Sequence, residues 1–286
     1  MNDTADTLMR GIAADAPFRI AVVRTSTLVQ EACRVHALAL GGAEALARAL
    51  TGLSLMAVMD KDWYRLSAQW IGRGPLGTIN VDVRSPGSVR GYLTGGGYIG
   101  PVSAGLEGGT LSVIRQKEGG QYAQGQAELV SHDVDGDLEG WMRQSDQLGT
   151  VLRVLVHDWV EGQPRSVTGV MVQELPGADR GDLEGAVSSS LLDRSLTPQG
   201  LLEELAASAA PGLGTIDWLG STPLAWDCGC SAARVERGVK LLGVAEIDEM
   251  ISLGEEPEVR CEYCATVYRM DLAALRRLKA ELLAAG

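Results

Sequence analysis

The sequence predicts an α+β fold followed by a small, separate C-terminal unit, and three observations carry that expectation. Between residues 64 and 175 short runs of period-two apolar alternation are separated by Gly and Pro turns, the pattern of antiparallel strands. Around residue 50 the apolar spacing changes to that of a helix. Four of the five cysteines fall within the last 60 residues, a region with few apolar residues at core spacing.

Taken in order, "GGAEALARALTGLSLMAVM" places Leu46, Ala49, Leu53 and Met56 at helical spacing, with Gly41 and Gly42 at its start. Three strands follow in "YRLSAQWIG", "GTINVDVRS" and "GSVRGYLTG", broken by "RGPLG" and "SPGS", and read as an antiparallel meander. Further strands are expected at "GTLSVIRQ", "QYAQGQAELVS", "TVLRVLVHDW" and "SVTGVMVQEL", with an acidic helix at "VDGDLEGWMRQSDQ". These elements make up a domain over residues 1–178. Composition shifts at "LPGADRGDLEGAV", and residues 179–226 read as a partly helical connecting segment. Thr197 is placed as a helix N-cap, with Pro198 at the first helical position and Leu196 set to staple against Leu201. The apolar "WLGSTPLAW" at its end needs a covering surface, and the neighbouring C-terminal unit is the candidate.

Residues 227–286 form that unit. Ser231 caps a helix carrying Val235, Val239 and Leu242 and stopped by Gly243; Ile247, Met250 and Ile251 mark a second helix ending at Gly254. "EVRC" and "TVYRM" read as short strands around the second cysteine pair, and Asp271 caps a last helix with Leu275, Leu278 and Leu282 on one face.

Composition excludes several classes. A net charge of -12 and a pI near 4.8 lack the basic face that a nucleic-acid backbone needs. A mean hydropathy of +0.05, with "LSLMAVM" the longest apolar stretch, gives no membrane span, and the acidic N-terminus is unlike a signal peptide. A cytoplasmic location is expected. "GGGYIG" at 95–100 fits Gly-x-Gly-x-x-Gly, but Pro101 stands where a phosphate-binding helix should begin. There is no Walker A sequence and no nucleophile elbow around Ser131, His132 and Asp133, so no enzyme is expected. His36, His157 and the odd cysteine, Cys33, read as structural residues rather than ligands.

Cys228 and Cys230, then 30 intervening residues, then Cys261 and Cys264, form a two-plus-two thiol set of the kind that structural zinc, or another soft-site metal, prefers. The second pair has zinc-knuckle spacing. In the first, Gly229 permits the bend that turns both sulfurs one way, and the helix starting at Ser231 brings its positive end near them. Structural disulfides are the alternative, opposed by a reducing compartment. The closed ligand set points to a structural rather than catalytic metal. Sulfurs on one tetrahedral metal lie about 3.7 Å apart, so an oxidant attacking one thiolate finds another within reach. Oxidation would then act on the folding of the whole unit.

"CGCSAARVERGVKLLGVAEIDEMISLGEEPEVRCEYCATVYRM" resembles the C-terminal zinc domain of the redox-regulated heat-shock protein 33 chaperone family. "GRGPLGTINVDVRSPGSVRGYL", "GTLSVIRQ", "YAQGQAELVSHDVDGDLEGWMRQSDQ" and "MVQELPGAD" fall in the family's order, so the resemblance covers nearly the whole chain. Asp146 in "QSDQ" and Met270 depart from the family's usual Glu and aromatic. The resemblance implies a two-lobed N-terminal chaperone core, a metastable helical linker, and one zinc held by Cys228, Cys230, Cys261 and Cys264. It implies a holdase without ATP, inactive when reduced and zinc-bound. Disulfides forming within each cysteine pair would release zinc, unfold the zinc domain and linker, and let unfolded or partly unfolded client proteins bind under oxidative stress, with a homodimer as the oxidised form. Two rival classes are a zinc-ribbon module recruited to RNA or a large assembly, which the acidic pI disfavours, and a thiol oxidoreductase, which lacks the strand-to-long-helix context of thioredoxin.

Overall fold

The computed structural model describes residues 5–57, 63–131, 133–175, 183 and 214–285, and these divide into two compact units, one up to Asp227 and one from Cys228. The first unit opens with the hairpin β1 (Thr7–Ala13) and β2 (Phe18–Arg24), followed by helices α1 (Ser26–His36) and α2 (Leu40–Ala57). Its remaining elements are β3 (Trp63–Gly72), β4 (Thr78–Arg84), β5 (Ser88–Leu93), α3 (Val102–Leu106), β6 (Gly109–Lys117), β7 (Tyr122–Glu128), α4 (Val134–Ser145), β8 (Thr150–Val160) and β9 (Gln163–Glu174). Two strands close it, β10 (Ile216–Pro223) and β11 (Ala225–Trp226).

Helix α2 is apolar nearly all round, and such a helix has to be enclosed. Two sheets enclose it. One has the order β10-β1-β2-β9-β8 and the other β11-β5-β4-β3-β6-β7. All pairings are antiparallel except β11 with β5. Leu46, Leu50, Leu53 and Leu55 of α2 are fully buried, and α2 packs against β2, β8 and β9 of the first sheet and β3, β4 and β5 of the second. The glycine-rich loop lies main chain to main chain on the start of α2: a Cβ at Gly41 would fall 2.2 Å from the Gly100 carbonyl oxygen, and the Gly42 amide donates to Tyr98 O at 3.1 Å. Those glycines serve close approach, and the helix after Pro101, α3, has five residues.

On its other face the first sheet carries a second apolar cluster of Phe18, Ile20, Val22, Val170 and Val172, to which Leu183 also belongs. Two carboxylates of this unit are held by arginines. Asp82, 1% exposed, accepts from Arg65, Arg90 and Ser67. Burial alone would raise its carboxyl, but the hydrogen bonds from Ser67, Arg65 and Arg90 bring it below the ordinary carboxylate value. Asp146 forms a two-pronged pair with Arg115, both contacts at 2.9 Å, and that guanidinium lies over the Trp141 ring.

The expected strands between 64 and 175 are all present, as are the helix near residue 50 and the acidic helix. The segment expected to be partly helical over 179–226 differs in its described C-terminal part, which is β10 and β11. The expected helix beginning at Thr197 and Pro198 lies outside the described residues. "WLGSTPLAW" is covered by the first unit itself: Trp218 packs on the second apolar cluster, Leu224 enters the main core at 8% exposure, and Trp226 meets His36 edge to face at 6.2 Å. Period-two spacing is diluted there by Gly220, Ser221 and Thr222, which carry no apolar signal.

The second unit comprises α5 (Ala232–Lys240), α6 (Val244–Leu253), the two-stranded ladder β12 (Glu258–Arg260) and β13 (Val267–Arg269), and α7 (Leu272–Ala285). Its core is Val239, Ile247, Met270, Leu275 and Leu278. Met270 fills that core at 5% exposure.

Candidate metal centre

Each cysteine pair sits on a bend that the local sequence dictates. Gly229 has φ +61°, a conformation open to glycine at no steric cost, and it reverses the chain between Cys228 and Cys230. Ser231 then caps α5, its Oγ accepting from the Arg234 amide at 3.3 Å, while the Arg234 guanidinium donates back to Gly229 O at 2.8 Å. The second pair lies in the turn joining β12 to β13. Ala265 N donates to Cys261 O at 2.8 Å and Cys261 N to Thr266 O at 2.9 Å, with Ala265 at φ +56°.

These two bends bring all four sulfurs within 4.8 Å of one another. The shortest approaches run across the sequence pairs, Cys228 to Cys261 at 3.3 Å and Cys230 to Cys264 at 3.2 Å. Tetrahedral coordination at about 2.3 Å per sulfur requires separations near 3.7 Å, so the set fits one soft metal ion with small adjustments. The donor chemistry agrees: four thiols, one buried and three half-buried, with no carboxylate or imidazole joining the cluster among the described residues.

Crowding and burial make the thiols of Cys228 and Cys230 poor acids. Burial, then the hydrogen bond to Cys261, pushes Cys228 up to about 12, and Cys230 is raised chiefly by burial. Cys264 differs. Burial alone would raise it, but hydrogen bonding by the Thr266 side chain and amide, with the sulfurs of Cys230 and Cys228, lowers it to about 7. A divalent cation inverts this by favouring every thiolate together.

All four cysteines singled out by spacing are thus assembled in one place. Cys33 stands apart in α1, buried, its thiol raised to about 12 by burial, and His36 and His157 also belong to the first unit. Two neighbours escaped sequence reasoning: Tyr268 Oη lies 2.9 Å from Cys230 Sγ, and Thr266 Oγ1 3.2 Å from Cys264 Sγ. Thr266 stands one residue before β13 and Tyr268 is its middle residue, so the two lie two apart just after the second cysteine pair.

A family model described as Hsp33 protein matches residues 6–271 of the chain. Similar proteins named 33 kDa chaperonin include one from Bacillus pumilus, 28% identical over 97% of this chain and 99% of its own length. Another, from Rippkaea orientalis, is 31% identical over 96% of both. The crystal structure of the 33 kDa chaperonin from Thermotoga maritima is similar with a TM-score of 0.82, covering 98% of this chain and 99% of that one at 22% identity, a likeness of fold.

Proposed function

This chain belongs to the Hsp33 family, and from that premise we propose that it is an ATP-independent holdase switched on by oxidation of Cys228, Cys230, Cys261 and Cys264. The observation that carries the reading is the juxtaposition of a four-thiol, metal-sized site with a unit whose core has only five buried side chains. Zinc, one per chain, would neutralise the four thiolates and tie the Gly229 bend to the β12–β13 turn.

A peroxide-class oxidant takes two electrons from each cysteine pair. A thiolate attacks the O–O bond to give a sulfenic acid and, after proton transfer, water; the second thiol displaces the hydroxyl as another water and closes the S–S bond. Two disulfides leave no thiolate to hold the ion. Closing Cys228 to Cys230 and Cys261 to Cys264 joins near neighbours in the chain, whereas the crossed pairs close loops of more than 30 residues. That favours within-pair disulfides once the unit has loosened, although the shortest sulfur contacts in the folded site are the crossed ones.

With the second unit unfolded, the strands that lead into it, β10 and β11, are free to loosen, and the face of Phe18, Ile20, Val22, Val170 and Val172, on which Ile216 and Trp218 of β10 pack, becomes available to unfolding clients. The oxidised chain pairs as a homodimer. Free thiols at rest suit the reducing cytoplasm, and no helix among the described residues is long and apolar enough to cross a membrane. Client holding involves no turnover, so the protein is not an enzyme. The test is to oxidise the zinc-loaded protein with peroxide under mild unfolding stress, following zinc release and aggregation of a thermally unfolding client. About one zinc released per chain together with suppressed aggregation is expected; unchanged aggregation with zinc-free, oxidised protein would refute the proposal.

A further inference from the structure

The edge of a sheet presents unpaired main-chain groups, and the outer edges of β8 and β1 in the five-stranded sheet are closed in different ways. At the β8 edge the amides of Leu152 and Val154 donate to carboxylates of α4, Glu139 at 2.5 Å and Asp135 at 2.7 Å. Arg48 donates to the Val154 carbonyl at 3.3 Å and Arg153 to the Leu152 carbonyl at 2.7 Å. Side chains there stand in for a neighbouring strand. At the opposite edge the neighbour is a strand, β10, paired antiparallel with β1 over Thr7–Ala13.

The hold on β10 is mostly main-chain. None of its residues is buried, and Leu219 stands 54% exposed where the register shifts between Arg10 and Gly11. Ile216 and Trp218 rest half-buried over Gly11, where a Cβ would fall 2.5 Å from Ile216 Cγ2 and 3.2 Å from Trp218 Cε3. Beyond β10 the chain pairs with β5 for two residues and then reaches Cys228. A strand secured by ladder hydrogen bonds, with the short β11 alone between it and the oxidisable sulfurs, is the element of this sheet most readily exchanged.

We propose that the β1 edge is a client-binding site: an extended segment of an unfolding protein adds antiparallel to β1 in place of β10, its apolar side chains seated where Ile216 and Trp218 now lie. This rests on the redox-holdase reading above. Main-chain donors and acceptors are common to all polypeptides, so recognition requires no particular sequence. It selects segments whose backbone is unpaired, with large apolar residues at alternate positions over Gly11 and no proline in the interior of the paired run. The outer edge of β10 is unsuited to that role, since it carries a bulge and ends in Pro223.

Hydrogen exchange on the full-length protein tests this in three states. In the reduced, zinc-loaded protein β10 and the β1 amides facing it exchange slowly; oxidation accelerates both by tenfold or more; adding a thermally unfolding client slows the β1 amides again by at least tenfold while β10 stays fast. A held client that leaves β1 as fast as in client-free oxidised protein overturns the proposal, as does β10 staying slow after oxidation. Slowing of β1 that rises with protein concentration and needs no client would place a second copy on the edge and overturn it too. Failure to hold the client at all refutes the holdase reading instead. As a competitor, an eight-residue peptide of the 216–223 sequence is expected to at least halve client holding, and the same peptide with Trp218→Pro to leave it unchanged; equal effects would overturn strand addition.

Discussion

Stripping the metal from fully reduced protein should unfold residues 228–286 while the first unit stays folded. The five core side chains of the second unit, Val239, Ile247, Met270, Leu275 and Leu278, contribute at roughly 1.5 to 3 kcal/mol each, about 8 to 15 kcal/mol before any opposing chain entropy. Its ion pairs, such as Lys240 with Glu281 and Arg277 with Glu236, lie at the surface and add about 0 to 1 kcal/mol each. A four-thiolate zinc site supplies roughly 10 to 16 kcal/mol of apparent binding energy, as much as the whole net stability of an ordinary domain, about 5 to 15 kcal/mol. At about 1.4 kcal/mol per decade this corresponds to a dissociation constant between about 10⁻⁷ and 10⁻¹² M, so a strong chelator is needed. The assay is hydrogen exchange with chelator and a thiol-free reductant. Amides of Ile247, Leu275 and Leu278 should approach their intrinsic exchange rates, while those of Val22 and Val170 stay protected. Persistent protection in the second unit of metal-free, reduced protein would refute the reasoning, because its five side chains would then suffice without the ion.

Peptide mapping of oxidised protein should find Cys228 joined to Cys230 and Cys261 joined to Cys264; crossed bonds as the main product would mean that oxidation traps the folded sulfur arrangement. Asp82→Ala, by leaving Arg65 and Arg90 without their buried partner, should cost the first unit about 3–5 kcal/mol in denaturant unfolding. The Asp82 carboxyl is lowered in the folded state, so its stabilisation is present above the unfolded value and lost as pH falls through the folded one. The acid loss of Tm below about pH 4 should accordingly be shallower in Asp82→Asn, and an unchanged slope would remove Asp82 from the acid limb.

Much of this was legible because the signals were local. Gly229, Ser231 and Asp271 each act within three residues of where they stand: the first takes φ +61°, the second caps α5, and Asp271 accepts the Ala274 amide at 2.7 Å. The four-thiol cluster was legible for the same reason, since two short bends with thiols at fixed spacing need only one long-range meeting. Helix α1 shows the opposite case. Thr25 at its start makes no side-chain cap, and the amides of Thr27 and Leu28 are capped instead by Asp6, more than 20 residues upstream, at 3.1 and 2.5 Å. No local motif records that. Strand β10 was missed because main-chain pairing secures it with little side-chain burial, and hydrophobic periodicity registers only the latter.

Because β10 belongs to one sheet, β11 to the other, and Leu224 alone joins them, this stretch of chain cannot leave the first sheet and keep its place in the second for long. Its departure is one cooperative event. Graded oxidant should therefore yield a steep, threshold-like response across a population of molecules, each either fully latched or fully open, with few caught halfway.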